Sequence, residues 1–319
     1  MKTKFAIGCL VQWYESDIIE EYLTTLEEAI EIYDGDVIVD ICLVSNTDLE
    51  KALDPIVKLE QIKKICGAVE GLNANFLIKD ELFTIADYRR WFNDYYCEHV
   101  DVLVWGESDM LVPKQTFIVL DHLHQNVQTP KYLATFSICK MWDDSWKALE
   151  HPDFTNKPFI EMDTKNWWSL RYTMNKDEMN EINDRAKDLD VSIISPHKYN
   201  GCGLIISSEV IKAGVNIPRS VFFIHEDTAF MLMTQKVLGN IPQYHFKNIL
   251  IVHNRKHPNK RKNIEGEQGL DKTNPGAQRG SHDWYIPANK MCEQNCYNIF
   301  NPNFKPFTWK NVWESLKSE

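Results

Sequence analysis

Two apolar runs separated by one amphipathic stretch constrain this chain more than any other feature. Phe5 to Val11 is an unbroken apolar run, and Val37 to Val44 is a second, rich in β-branched residues. Runs without polar alternation suit strands covered on both faces. Between them, Ile18, Ile19, Tyr22, Leu23, Leu26, Ala29 and Ile30 recur at helical spacing. Ser16-Asp17 opens that stretch with acidic residues where the helix dipole favours them, and Asp34-Gly35 closes it. Strand, helix and strand on short connections form a βαβ unit, so an α/β fold with a parallel sheet flanked by helices is expected. Lys2 and Lys4 ahead of the first run mimic a secretion signal. The run is short and no small-residue cleavage site follows, so a buried first strand is the reading.

The pattern continues. Leu53, Ile56, Val57 and Ile62 predict a helix, Phe76 to Ile78 a short strand, and Thr84 to His99 a helix with Ile85, Tyr88, Trp91, Phe92 and Tyr95 on one face. Val100 to Trp105 reads as a buried strand, and Pro113 as the opening of a helix reaching about Asn126. From Tyr132 the character changes. A strand is expected at Tyr132 to Ile138, a charged helix at Asn175 to Leu189, a strand at Gly201 to Ser207 and a short helix-like piece at Ser207 to Gly214. A helix at Glu226 to Leu238, a strand at Tyr244 to His253 and a final helix at Thr308 to Leu316 complete the reading. A Gly- and polar-rich stretch to about Ser281 reads as a mobile loop. The chain therefore divides into residues 1–130, 131–260 and 261–319.

No stretch approaches the roughly 20 apolar residues a spanning helix needs, so no membrane span is expected. A net charge of -11 argues against broad nucleic-acid affinity, which rests on neutralising phosphates. The eight cysteines are scattered, and Cys9, Cys42 and Cys139 sit in apolar contexts. They read as reduced, buried side chains, which points to the cytoplasm. Cys292 and Cys296 stand four residues apart, but nothing nearby completes a ligand set, so they too read as small hydrophobes.

Three signals carry chemistry. Glu107-Ser108-Asp109 follows the Val100–Trp105 run directly. In open parallel sheets ligands bind outside the carboxyl ends of strands, and two carboxylates there can hold Mg²⁺ or Mn²⁺ with positions left for diphosphate oxygens. A solvated turn is the plain alternative. Glu226-Asp227 opens a helix after Phe222-Phe223-Ile224-His225 and could supply a general base or simply cap that helix. His253 ends an apolar strand, where it could complete a carboxylate–imidazole metal site or serve as a structural hydrogen-bonder. The basic run after it, with Arg255, Lys256, Lys260, Arg261 and Lys262, suits a clamp over a diphosphate, a patch for nucleic acid or a solvated loop.

In order and spacing, residues 4–257 resemble the family 2 glycosyltransferases and related enzymes of the GT-A fold. That resemblance implies a Rossmann-type, mostly parallel sheet with an acceptor-side half. It also implies a nucleotide-contacting turn at Tyr14 and Glu15, a second at Asn46 and Asp48, and a donor-side arginine at Arg89 or Arg90. The family's Asp-x-Asp corresponds to Glu107-Ser108-Asp109, with Glu in place of the first Asp. Its helix-opening base corresponds to Glu226-Asp227, and a downstream metal-binding His to His253. The first turn lacks the common Pro-x-Tyr-Asn start.

The function implied is metal-dependent, inverting transfer from a nucleoside-diphosphate sugar, with a UDP-sugar the expected donor and Mn²⁺ or Mg²⁺ the expected ion. Glu107, Asp109 and His253 would hold the metal, Asp227 or Glu226 would be the base, and Ser108 and the basic run would face the donor. Trp142, Trp146, Trp167 and Trp168 offer faces for a sugar ring or an extruded base, or ordinary packing. The acceptor would be a glycan or, in a bacterial or phage setting, a hydroxymethylated DNA base. A nucleotide-sugar or carbohydrate-binding protein without turnover is the alternative class.

Overall fold

The computed structural model describes residues 1–45, 55–140, 144–159, 172, 174–198, 201–253 and 284–317. The strands are β1 (Phe5–Gln12), β2 (Val37–Val44), β3 (Ala74–Lys79), β4 (Val102–Trp105), β5 (Met110–Leu111), β6 (Leu133–Ser137), β7 (Val191–Ile193), β8 (Ile205–Ser207), β9 (Gln243–Leu250) and β10 (Val252–His253). The helices are α1 (Ser16–Glu31), α2 (Pro55–Glu70), α3 (Ile85–Tyr96), α4 (Thr116–Asn126), α5 (Pro152–Thr155), α6 (Lys176–Asp184), α7 (Ser208–Lys212), α8 (Glu226–Leu238), α9 (Tyr285–Tyr297) and α10 (Trp309–Ser315). Among the described residues no helix is long and apolar enough to cross a membrane.

Eight strands form one sheet in the order β3-β2-β1-β4-β8-β6-β9-β7. The first four run parallel, β8 is antiparallel to both β4 and β6, β6 and β9 are parallel, and β7 is antiparallel to β9. The sheet is thus mostly parallel, as expected, and continuous across the first two of the divisions drawn from sequence. Its two faces carry separate cores. One gathers Ile19, Tyr22, Leu26, Phe117 and Leu120 from α1 and α4. The other gathers Tyr88, Phe92, Val210, Phe230 and Met231 from α3, α7 and α8. Burial on both faces is why β1 and β2 show no polar alternation.

From β1 the chain crosses to β2 on one side and later returns to β4 on the other. That reversal opens a crevice at the carboxyl ends of β1 and β4, the position where open α/β sheets bind ligands. A two-stranded ribbon of β5 and β10 stands there, pairing His253 with Met110.

The differences from the sequence reading are local. The helix read as opening at Pro113 begins at Thr116, because Met110–Leu111 first pairs as β5. The run Tyr244–His253 is broken in two. The N–H and C=O of Leu250 are taken by the Asn183 side chain at 2.7 and 3.0 Å, and Ile251 N–H donates to Ser137 O at 2.8 Å. The released end can then turn into β10. The helix expected to reach Leu189 stops at Asp184, just past that asparagine. Residues 284–317 fold into α9 and α10, whose Trp284, Cys292, Trp309, Val312 and Trp313 pack on Phe222, Phe223 and Ile224. Cys292 is buried in that cluster and Cys296 in the core under α3 and α8, and neither is in a disulfide.

Candidate active site

The site is built where β4, the ribbon and the start of α8 meet. Glu107 and Asp109 follow β4, with Met110 N–H donating back to Glu107 O at 3.0 Å to make the turn. The ribbon brings His253 over that turn, with its Nε2 3.0 Å from Glu107 Oε2 and 3.1 Å from Asp109 Oδ1. Asp109 is buried, while Glu107 and His253 keep partial exposure. Each separation is that of an ion pair, with the imidazole set between the two carboxylates. Two carboxylate oxygens and an imidazole nitrogen are also donors that a divalent ion of the Mg²⁺, Mn²⁺ or Zn²⁺ type accepts.

Arg89, on α3, is almost wholly buried and ties the two acidic pairs together. Nη2 donates to Glu107 Oε1 at 2.8 Å and to Gly201 O at 2.9 Å, and Nη1 donates to Glu226 Oε1 at 2.6 Å. Its guanidinium lies 4.6 Å from the ring centroid of Trp105, whose own Nε1 donates to Asn93 Oδ1 at 2.9 Å. A Cβ at Gly201 would stand 2.9 Å from Arg89 Nη1 and 3.4 Å from Asp227 Oδ2, so glycine permits the close approach.

Four carboxylates, Glu107, Asp109, Glu226 and Asp227, thus lie around one arginine and one imidazole. Glu107 and Glu226 diverge in protonation. Burial alone would push Glu107 up, but the charge and hydrogen bond of His253, with Arg89, outweigh it and hold the carboxyl low, at about 2. For Glu226 burial dominates the Arg89 charge, and the neighbouring Asp227 adds to it, lifting the carboxyl to about 7.

Asp227 is half-buried, and its Oδ1 accepts from Thr228 N at 2.6 Å. It does not cap α8. The N-cap is His225, a non-glycine residue in the left-handed region at φ 66°, with Nε2 2.8 Å from Asn289 Oδ1 on α9. A left-handed, non-glycine residue at the mouth of a site is conformational strain that surrounding packing must sustain. Here α9 meets it through Asn289 at the ring and Cys296 Sγ at the carbonyl oxygen.

The remaining sequence candidates divide three ways. Tyr14 is half-buried with its ring edge-on to Trp13, Glu15 is buried with Oε2 accepting from Gln12 N at 2.8 Å, and Ser108 is buried beside Asp109. Arg90 faces away from the acidic pairs. Its guanidinium donates to the carbonyls of Ile217, Pro218 and Val221 and to Asp87, bracing the loop before α8. Trp146 is half-buried against the main core. Asn46, Asp48, Trp142, Trp167, Trp168, Arg255, Lys256, Lys260, Arg261 and Lys262 lie outside the described residues. Sequence reasoning missed Trp105 as the platform for Arg89, and it missed the strain at His225. Both are ordinary-looking residues whose roles arise only from tertiary contact.

No protein-family model matches the sequence, and no curated protein matches it. Among solved structures, S. aureus TarS 1–349 is similar at 10% identity, covering 98% of this chain and 78% of that one, with a TM-score of 0.48. The same protein in complex with UDP-GlcNAc is similar at 9% identity, with 93% and 73% covered and a TM-score of 0.46. Glucosyl-3-phosphoglycerate synthase from Mycobacterium tuberculosis, in complex with Mn²⁺, UDP and phosphoglyceric acid, is similar at 9% identity, with 81% and 73% covered and a TM-score of 0.44.

Proposed function

We propose that this chain is a metal-dependent glycosyltransferase that moves a sugar from a nucleoside-diphosphate sugar to an acceptor hydroxyl with inversion. One observation carries the reading: Arg89 joins the Glu107–Asp109–His253 group to Glu226–Asp227 at the carboxyl ends of β1 and β4. A cation site and a candidate base therefore share one crevice. Glu107, Asp109 and His253 would hold the ion, and a bound Mn²⁺ or Mg²⁺ would offset the charge of the departing diphosphate. Tyr14, Glu15, Asn46, Asp48 and Ser108 would line the nucleotide, with a UDP-sugar as donor, and the basic run would reach the phosphates.

Asp227 is the better base of the two. Glu226 is buried and its Oε1 is engaged by Arg89, whereas Asp227 Oδ2 stands over Gly201 at the crevice. In the transfer, Asp227 takes the acceptor proton as the acceptor oxygen attacks the anomeric carbon and the bond to the diphosphate breaks. Arg89 keeps the neighbouring carboxylates apart in role and place. A glycan and a hydroxymethylated base in DNA are the two acceptor classes to compare. Binding of the latter would weaken steeply with salt.

The test is incubation with Mn²⁺ and a panel of nucleotide sugars, with detection of released nucleoside diphosphate. Slow release from one donor, lost in Asp109→Ala, is the expected outcome. Donor binding with no turnover on any acceptor would instead identify a binding protein. Full activity in excess EDTA would reject the metal site.

A further inference from the structure

Cys202 sits at the candidate metal site, and its position is fixed by the strand that carries Glu107. Gly203 N–H donates to Trp105 O and Trp105 N–H to Leu204 O, each at 2.9 Å, so the Gly201-Cys202-Gly203 turn is bonded to the end of β4. Gly203 has φ +73°, and a Cβ there would meet Ile251 at 2.4 Å, so the turn depends on glycine at that position. Cys202 is buried. Potential ligand atoms of Glu107, Cys202 and His253 all lie within 4.8 Å of one another. Three separate segments thus bring a carboxylate oxygen, a sulfur and an imidazole nitrogen within 4.8 Å of one another.

We propose that Cys202 supplies a sulfur ligand to this site, making it a mixed N/O/S centre that favours Zn²⁺ and Co²⁺ over Mg²⁺. The inference rests on the reading of Glu107, Asp109 and His253 as metal ligands. Thiolate is a soft donor that Mg²⁺ accepts poorly and Zn²⁺ accepts well. Carboxylate, imidazole and thiolate together form the donor set of tetrahedral zinc sites. On binding, the S–H proton is released to solvent as the sulfur–metal bond forms, and no oxidant or reductant is involved.

The experiment is a Co²⁺ titration of the whole chain followed by absorption, with Cys202→Ser, Cys202→Ala and His253→Ala in parallel. Wild type should show visible d–d bands together with a near-ultraviolet thiolate-to-cobalt band. The latter should vanish in both Cys202 variants, with Co²⁺ binding weakened roughly 10–100-fold, on the scale of losing a partner of a metal site, and Mg²⁺ binding unchanged. Visible bands without the thiolate band in wild type would overturn the sulfur ligand while leaving the carboxylate–imidazole site standing. A thiolate band that persists in Cys202→Ser would assign it to another cysteine and also overturn the proposal. No Co²⁺ binding by wild type would overturn both readings. Because the wild-type spectrum is itself diagnostic, poor folding of a variant does not rescue the idea.

Discussion

Glu107–Asp109 and Glu226–Asp227 are both acidic pairs that open onto the carboxyl end of the sheet, yet their surroundings separate them. The first pair is faced by His253 and Arg89, and Glu107 is held at about 2. In the second, Glu226 pairs with Arg89, but burial outweighs that charge and lifts Glu226 to about 7. Charge is stabilised at Glu107 and opposed at Glu226. The contrast teaches that the partners delivered by other segments decide what an acidic pair can do, whether hold a cation or exchange a proton.

The largest way to break the contrast is to remove the residue common to both pairs. Arg89→Ala leaves Glu107 and Glu226 without their buried counter-charge and should destabilise the fold by about 3–5 kcal/mol. Arg89→Lys keeps the charge but cannot span both carboxylates and the Gly201 carbonyl, so it should recover only part of that loss. Urea unfolding of the two variants checks this, and near-wild-type midpoints for both would remove Arg89 from the account.

A smaller effect is expected at the hinge of the second pair. His225 occupies left-handed backbone, so His225→Val should cost about 1–3 kcal/mol, while His225→Gly or His225→Asn should be far milder. Thermal melts rank the three, and an equal loss in all would show that the Asn289 contact, not the backbone, matters.

A further effect is a change in slope with pH. Glu226 has an ordinary value of 4.5 and a folded value near 7, so across that interval the folded state binds more protons. Its contribution is fully present below 4.5 and lost as pH rises through 7. Glu107 runs the other way, stabilising above 4.5 and losing that contribution as pH falls toward 2. In metal-free protein, Glu226→Gln should flatten the decline between pH 4.5 and 7 and leave the acid limb unchanged. Chemical denaturation at a series of pH values measures both limbs.

Much of this frame was legible in sequence. Doubly covered strands announce themselves as unbroken apolar runs, and β2 and α8 match their sequence bounds because Ser45 and Gly239 follow them directly. Glu107, Asp109 and Glu226–Asp227 were visible because they sit just after a strand or at a helix start. The links between them were not. Arg89 and Arg90 are adjacent and indistinguishable as letters, yet one points to the acidic pairs and the other to the 217–221 loop. Which of two neighbours faces the site is set by helix rotation against β1, a tertiary fact. Cys202 reads as one more apolar cysteine until β4 and β10 bring Glu107 and His253 to it.

The central claim is that the first pair binds and the second reacts. It is tested most directly by calorimetric titration of UDP with and without Mn²⁺ on Asp109→Asn and Asp227→Asn, with turnover of the active donor measured alongside. Asp109→Asn should lose the Mn²⁺-dependent part of the affinity. Asp227→Asn should bind like wild type and lose turnover by roughly 10²–10⁴-fold, the span of general-base assistance. Loss of UDP affinity in Asp227→Asn, or Mn²⁺-dependent affinity retained in Asp109→Asn, would contradict the division of labour.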